Sequence, residues 1–208
     1  NMCSLASDGS KVYFVGSDST ATDSGLNLFV YDPTDDSFDQ ITAVGTGGSN
    51  FVFHIGCWAN NRCGFIEFFG DLILFNARKT AGDSAPYGSA MWAYDTSDSS
   101  LEMITNTKPD DDDDIRDVQI IGSQVYFTSE SYEPGSVTRN LWMTNGTAAG
   151  TSMISFHDNN GSTFMDIEQG FPLIHELGDS LLTFGWVGDS GRELVHNQHV
   201  ITSTTYSY

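Results

Sequence analysis

An all-β fold made of repeated four-stranded units is predicted by three observations on the sequence. First, four apolar runs end in a phenylalanine: Val12-Tyr13-Phe14, Ile73-Leu74-Phe75, Val125-Tyr126-Phe127 and Leu182-Thr183-Phe184. Second, each is followed at a distance by an apolar-aromatic stretch running into Asp or Asn: Leu28-Phe29-Val30-Tyr31-Asp32, Met91-Trp92-Ala93-Tyr94-Asp95, Leu141-Trp142-Met143-Thr144-Asn145 and an eroded Glu193-Leu194-Val195-His196-Asn197. Third, the Phe anchors recur 61, 52 and 57 residues apart. A period of this length in short strands separated by turn residues is the signature of a β-propeller blade.

The second repeat serves as the template. Phe65-Ile66-Glu67-Phe68-Phe69 is a first strand, Gly70-Asp71 a tight turn, and Leu72-Ile73-Leu74-Phe75 the returning partner. A loop over 78–90 leads to Met91-Trp92-Ala93-Tyr94, a polar turn follows, and Leu101-Glu102-Met103-Ile104 closes four antiparallel strands, a to d. Gly9-Ser10, Gly122-Ser123 and Gly178-Asp179 supply the same first turn elsewhere. The repeats cover approximately 2–43, 64–106, 115–155 and 171–204 of a single propeller domain, 1–208. The expectation is four blades, closed into a small ring or forming part of a larger one. Met2 to Leu5 and the segment from Val200 to Tyr206 are the candidates for a closing seam.

Some of these residues resemble known families. Lys11-Val12-Tyr13-Phe14-Val15-Gly16 with Leu28-Phe29-Val30-Tyr31-Asp32-Pro33 and Phe38 resembles a kelch motif. Leu141-Trp142-Met143-Thr144-Asn145-Gly146-Thr147-Ala148-Ala149-Gly150-Thr151 resembles the bacterial repeat E-L-W-x-x-D-G-T-x-x-G-T. Both resemblances imply a propeller. The second-strand Gly-Gly of kelch repeats is absent, and Phe38, Leu101 and Met153 stand where kelch has a fourth-strand Trp.

Composition narrows the partners. Against 28 acidic residues stand 8 basic ones, a formal charge of −20, so nucleic-acid backbones and anionic membrane surfaces are excluded as partners. No apolar stretch reaches the roughly 20 residues of a membrane span. The chain opens at Asn1, as expected if a leader was removed or if this is a piece of something longer. Cys57 and Cys63 flank five residues and are expected to form a small disulfide loop, with two buried thiols as the alternative and Cys3 left over. With the sequons at Asn145 and Asn160, they point to an extracellular or cell-surface protein.

Strand order places the long connections 17–25, 43–64, 78–90, 106–114, 129–140 and 156–170 on one face, opposite the short turns. That face is the expected binding face. It is acidic: Asp110 to Asp114 form an unbroken run, read chiefly as a solvated loop and secondarily as a Ca2+ site using Asp111 and Asp113. Counting back from the turn glycines aligns Ala6, Glu67, Gln119 and His175 on strand a, where Glu67, Gln119 and His175 are candidates to bind a polar ligand.

No catalytic signature stands out. Asp189-Ser190-Gly191 echoes a serine-protease segment without a partner, and Ser7-Asp8-Gly9-Ser10 falls short of a sialidase Asp-box. His196 and His199, read as one strand, point to opposite faces. The expected function is a non-catalytic binding or structural module presenting loops to a protein or glycan. The alternative is a carbohydrate-active hydrolase or lyase at the same face, with carboxylates from separate loops.

Overall fold

The computed structural model describes residues 4–16, 27–42, 50–52, 65–80, 89–108, 113–133, 136–158, 161–166, 174–178, 180–187, 192–196 and 199–201. They are all-β, in sheets built on four antiparallel strands that follow chain order, as in propeller blades. Among them, no helix is long and apolar enough to cross a membrane. The chain divides into two compact units, Asn1–Asp112 and Asp113–Tyr208, each carrying two repeats.

In the first unit, the first sheet is a four-stranded meander of β1 (Ser4–Ser7), β2 (Val12–Gly16), β3 (Asn27–Asp32) and β4 (Ser37–Gln40). The second sheet repeats it with β6 (Ile66–Phe69), β7 (Leu72–Thr80), β8 (Ser89–Asp95) and β9 (Leu101–Met103). A short β5 (Asn50–Val52), inside the expected 43–64 loop, pairs with the far half of β7.

The second unit holds a third sheet of β10 (Arg116–Ile121), β11 (Gln124–Glu133), β12 (Ser136–Thr144) and β13 (Ser152–Met153). Its fourth sheet is built on β16 (Ile174–Leu177), β17 (Ser180–Val187), β18 (Arg192–His196) and β19 (His199–Ile201). β14 (Ser155–Asp158) and β15 (Gly161–Asp166) join that sheet, β15 pairing with the far half of β17.

Two expected loops are therefore hairpins. Residues 129–140 continue β11 and β12 in register out to Glu133 opposite Ser136. Within 156–170 lies the β14–β15 pair. The physical reason is common to three repeats: strand b outruns strand a, and its spare backbone groups need partners. β5 supplies them on β7, β15 on β17, and the Asp113 carbonyl accepts from the Glu130 amide on β11, 2.8 Å away.

Register corrects the fourth anchor. Phe14, Phe75 and Phe127 each lie five residues beyond a turn glycine with positive φ, at Gly9, Gly70 and Gly122; counted from Gly178, that position is Thr183, not Phe184. Pairing agrees, since Leu182 faces His175 as Tyr13 faces Ala6. The apolar run slipped by one residue because both Thr183 and Phe184 suit a strand, and only the hydrogen-bond ladder tells them apart. On strand d, Phe38 opposes Tyr31 and Leu101 opposes Tyr94, while Met103 and Met153 oppose the two tryptophans, so Met153 is equivalent to Met103 rather than to Leu101.

Each sheet has an anchor face, carrying the residue five beyond the turn glycine, and a counter face behind it. In the first unit the counter face of the first sheet (Tyr13, Val15, Leu28) packs on the anchor face of the second (Ile66, Ile73, Phe75, Ala77, Trp92). Tyr13 meets Phe68 edge-on at 5.4 Å between ring centroids. In the second unit the counter face of the third sheet (Ile121, Leu141, Ile154) packs likewise on Ile174 and Leu181 of the fourth. Within each unit the two strands a lie side by side, β1 with β6 and β10 with β16.

The Asp or Asn ending strand c has a local cause. Asp32 accepts from the amide and hydroxyl of Thr34, Asp95 from those of Ser97, and Asn145 from those of Thr147. These are Asx-turns, in which a short side-chain acceptor satisfies the backbone amide two residues on. Part of the acidity is thus turn chemistry. The Thr147 carbonyl accepts from the Gly150 amide and the Thr151 hydroxyl, and a Cβ at Gly150 would collide with the Asn145 carboxamide at 1.9 Å. That accounts for the glycine and threonine ending this stretch.

Candidate functional site

A pocket of about 390 Å³ opens within the first unit, between the first and second sheets. Tyr13, Val30 and Ile41 from the first sheet's counter face and Tyr94 from the second's anchor face give it aromatic and apolar walls. Lys11, Asp39, Gln40, Thr96 and Ser99 supply polar groups around them. The local structure explains their placement. Thr96 donates its amide and hydroxyl to the Asp71 carbonyl, both at 2.9 Å, which ties the strand c–d turn to the a–b turn. Lys11 is held by Asp32 at 3.3 Å. Lys11, Thr96 and Ser99 belong to turns, so the pocket lies toward the short-turn end rather than the expected long-loop face.

Tyr13 is the perturbed group here. Burial pushes its phenol up to about 12, and the charge of Asp8 together with a hydrogen bond to it adds to the rise. Desolvation acts to raise Asp8 as well, but hydrogen bonds from the amides of Lys11 and Ser10 outweigh it and hold the carboxyl below its ordinary range. A phenol whose folded pKa exceeds its unfolded value of about 10 contributes stability that is fully present below pH 10 and is lost as pH rises toward 12. Chemical denaturation across that window is expected to show a steeper loss for the wild type than for Tyr13→Phe; parallel curves would contradict the assignment.

The strand-a column has the expected register. Ala6, Glu67, Gln119 and His175 face Tyr13, Leu74, Tyr126 and Leu182 across the first hairpin of each sheet. Glu67, Gln119 and His175 are exposed. Desolvation pushes the Glu67 carboxyl above its usual range although the side chain still reaches solvent.

Of the acidic run, Asp113 and Asp114 are among the described residues. Asp113 is buried, and its carbonyl accepts from the Ser129 hydroxyl at 2.8 Å. Asp114 forms ion pairs with Arg116 and Arg139, and Arg139 reaches on to Glu130 at 3.3 Å. Desolvation would raise Asp114, but the Arg116 hydrogen bonds and the charges of Arg139 and Arg116 leave its carboxyl lowered. A β-bulge between Arg116 and Gln119, with Asp117 at φ 53°, turns the strand into this network. The end of the run is thus a partly buried ion-pair cluster rather than a solvated loop. Of its basic partners Arg116 lies two residues on in sequence and Arg139 25, so the run of Asp carried no signal of the second. Asp111 lies outside the described residues, and among the described residues no group of three or more His, Cys, Asp or Glu is placed to hold a metal ion.

Asn145 and Thr147 of the first sequon are exposed. Cys3, Cys57, Cys63 and Asn160 lie outside the described residues. His196 and His199 are not on one strand: they oppose each other across the β18–β19 hairpin, and His199 pairs in parallel with His157 of β14. Direct pairing across the ladder places the two on one face, correcting the opposite-face reading.

No family model matches the chain, and no curated protein does. Solved structures similar to it include TolB from Acinetobacter baumannii (12% identity, TM-score 0.43, covering 96% of this chain and 44% of that one). Another is the Bacteroides ovatus xyloglucan PUL GH43B (10%, 0.41, 98% and 40%). A third is a GH43 endo-arabinanase from Bacillus licheniformis (11%, 0.26, 93% and 91%). The chain spans less than half the length of the first two.

Proposed function

We propose that this chain is a non-catalytic extracellular binding module that holds a glycan at the pocket between its first two sheets. The observation that carries this reading is the pairing of aromatic walls, Tyr13 and Tyr94, with neutral and charged hydrogen-bonding groups, Thr96, Ser99, Asp39 and Lys11. A polyhydroxylated ring has apolar C–H faces to lay against an aromatic side chain and hydroxyls around its edge. The pocket's volume lies in the 300–1,000 Å³ range of small-ligand sites, and its lining, richer in polar groups than most of them, suits a polyhydroxylated ligand. One cation and one carboxylate among the lining side chains favour a ligand of low net charge.

The test is isothermal titration of the folded chain against a panel of neutral and acidic oligosaccharides. Binding of a neutral member is expected, weakened roughly tenfold or more, about 1.4 kcal/mol, by Tyr94→Ala and by Asp39→Ala. Both positions retain some solvent contact, so circular dichroism and the melting temperature should change little. A folded protein indifferent to every glycan would sink the proposal. Release of new reducing ends during the titration would transfer the reading to the hydrolase alternative.

A further inference from the structure

Charge is unevenly placed around the pocket between the first two sheets. Ala6, Tyr13, Val30 and Asp39 are direct cross-strand partners in turn, so Asp39 of β4 shares the counter face of the first sheet with the aromatic and apolar wall. Lys11, two residues before Tyr13, is the one basic residue of the lining, and its ammonium is already committed to Asp32 at 3.3 Å. Asp39 is exposed, and among the described residues its carboxylate has no ion pair or hydrogen bond. A third carboxylate, Asp8, accepts from the amides of Ser10 and Lys11, both at 2.7 Å, and from the Tyr13 hydroxyl.

We infer that the glycan held at this pocket carries a primary amine, an amino sugar in its unacetylated, cationic form, with Asp39 as the group that receives the ammonium. The inference rests on the glycan reading above and gives the ligand's charge a sign. Lys11 and Asp32 cancel as a pair, so Asp39 is the charge left for a ligand to meet. An ammonium beside a carboxylate makes a charge-assisted hydrogen bond, stronger than the bond a sugar hydroxyl makes in the same place. The faces of the Tyr13 and Tyr94 rings act in the same direction, since an aromatic face attracts a cation. An acidic sugar would meet Asp39 with like charge and find the one ammonium of the lining taken. At −20, the chain as a whole adds a longer-range attraction for cations that salt screens.

The experiment is isothermal titration of the 208-residue chain with disaccharides of one β-1,4-linked backbone: cellobiose, the glucosamine disaccharide, its N-acetylated form and cellobiouronic acid. The amine is expected to bind about fivefold more tightly than cellobiose, the scale of one partly exposed ion pair, about 1 kcal/mol. Acetylation should remove that gain, and the acid should bind more weakly than cellobiose. Raising NaCl from about 0.15 M to about 0.5 M should shrink the gain. In Asp39→Asn the ratio of amine to cellobiose affinity should fall to about one, although only one of 28 acidic residues has changed; in Lys11→Gln, which frees Asp32, it should rise. Circular dichroism checks that each variant folds. Cellobiose or the acid binding as tightly as the amine overturns the inference and leaves the glycan reading standing. So does a preference that survives Asp39→Asn, which would assign it to the general field of the chain. A folded protein that binds no glycan at all sinks the glycan reading, and this inference with it.

Discussion

Replacing Arg139 with methionine is expected to destabilise the protein by about 3 kcal/mol, the lower end of the range for breaking a buried ion pair. Arg139 on β12 is 4% exposed and stands opposite Glu130 of β11 in register. One end nitrogen donates to the Asp114 carbonyl at 2.7 Å and to the Thr128 hydroxyl at 3.3 Å, the other to the carboxylates of Asp114 and Glu130. Methionine fills much of the volume but leaves those acceptors unserved. Asp114 keeps Arg116 and some solvent, which holds the loss near the lower end. Arg139→Lys keeps the charge without the planar fork and should recover only part of it. Adding Glu130→Gln to Arg139→Met should cost less than the sum of the two, because one carboxylate no longer needs a partner.

The effect has a pH signature. Asp114 has a lowered carboxyl pKa in the folded state, so its contribution is present above its unfolded value of about 3.9 and is lost as pH falls through the folded value. The gap between wild type and Arg139→Met in urea denaturation should therefore be full at pH 7 and narrow below pH 4. A loss under 0.5 kcal/mol at pH 7, or a gap that widens in acid, would show the cluster to be energetically idle.

Trp92→Ala is expected to cost roughly 3–5 kcal/mol, more than Trp142→Ala. The two occupy equivalent positions, opposite Phe75 and Phe127 on one side and Met103 and Met153 on the other. Trp92 is buried in the layer between the first and second sheets, with its indole N–H donated to the Ala77 carbonyl at 3.1 Å. Trp142 stacks on Phe127 at 6.5 Å but is only half-buried, and its indole nitrogen has no hydrogen-bond partner among the described residues. Phenylalanine separates the two contributions. Trp92→Phe should still cost about 1–3 kcal/mol by orphaning a buried carbonyl, while Trp142→Phe should cost less. Thermal and urea unfolding of the four variants measure this; equal losses at both positions would mean that the hydrogen bond and the deeper burial add nothing.

The blades were legible because their determinants are local. Turn glycines at 9, 70, 122 and 178 adopt positive φ, and the residues after them alternate between two faces, so strand existence and most of the register follow from neighbours in sequence. Register failed at Phe184, where two adjacent residues both suit a strand. The expected loops at 129–140 and 156–170 failed for a related reason. Polar, Gly- and Asn-containing stretches such as Asn159-Asn160-Gly161 read as loop, but the overhanging half of a long strand b needs backbone partners whatever side chains the partner carries.

The candidate site was less legible than the fold. The register of Glu67, Gln119 and His175 was legible because a turn glycine indexes each of them, and none of the three lines the pocket. The pocket was not, since Tyr13, Gln40, Tyr94 and Thr96 come from two repeats and each residue taken alone reads as ordinary strand or turn.

What the amino-acid order determined by itself was therefore the all-β class, the four repeats, the turns and the two-sided strand pattern, all set by φ preferences and side-chain alternation over a few residues. Only the tertiary structure decided which faces are covered, that the end of the acidic run is neutralised by Arg116 and Arg139, and that aromatic and polar side chains of two sheets meet in one pocket. Those outcomes depend on burial and on charges brought together from distant positions, and pairing of that kind leaves no periodic trace along the chain.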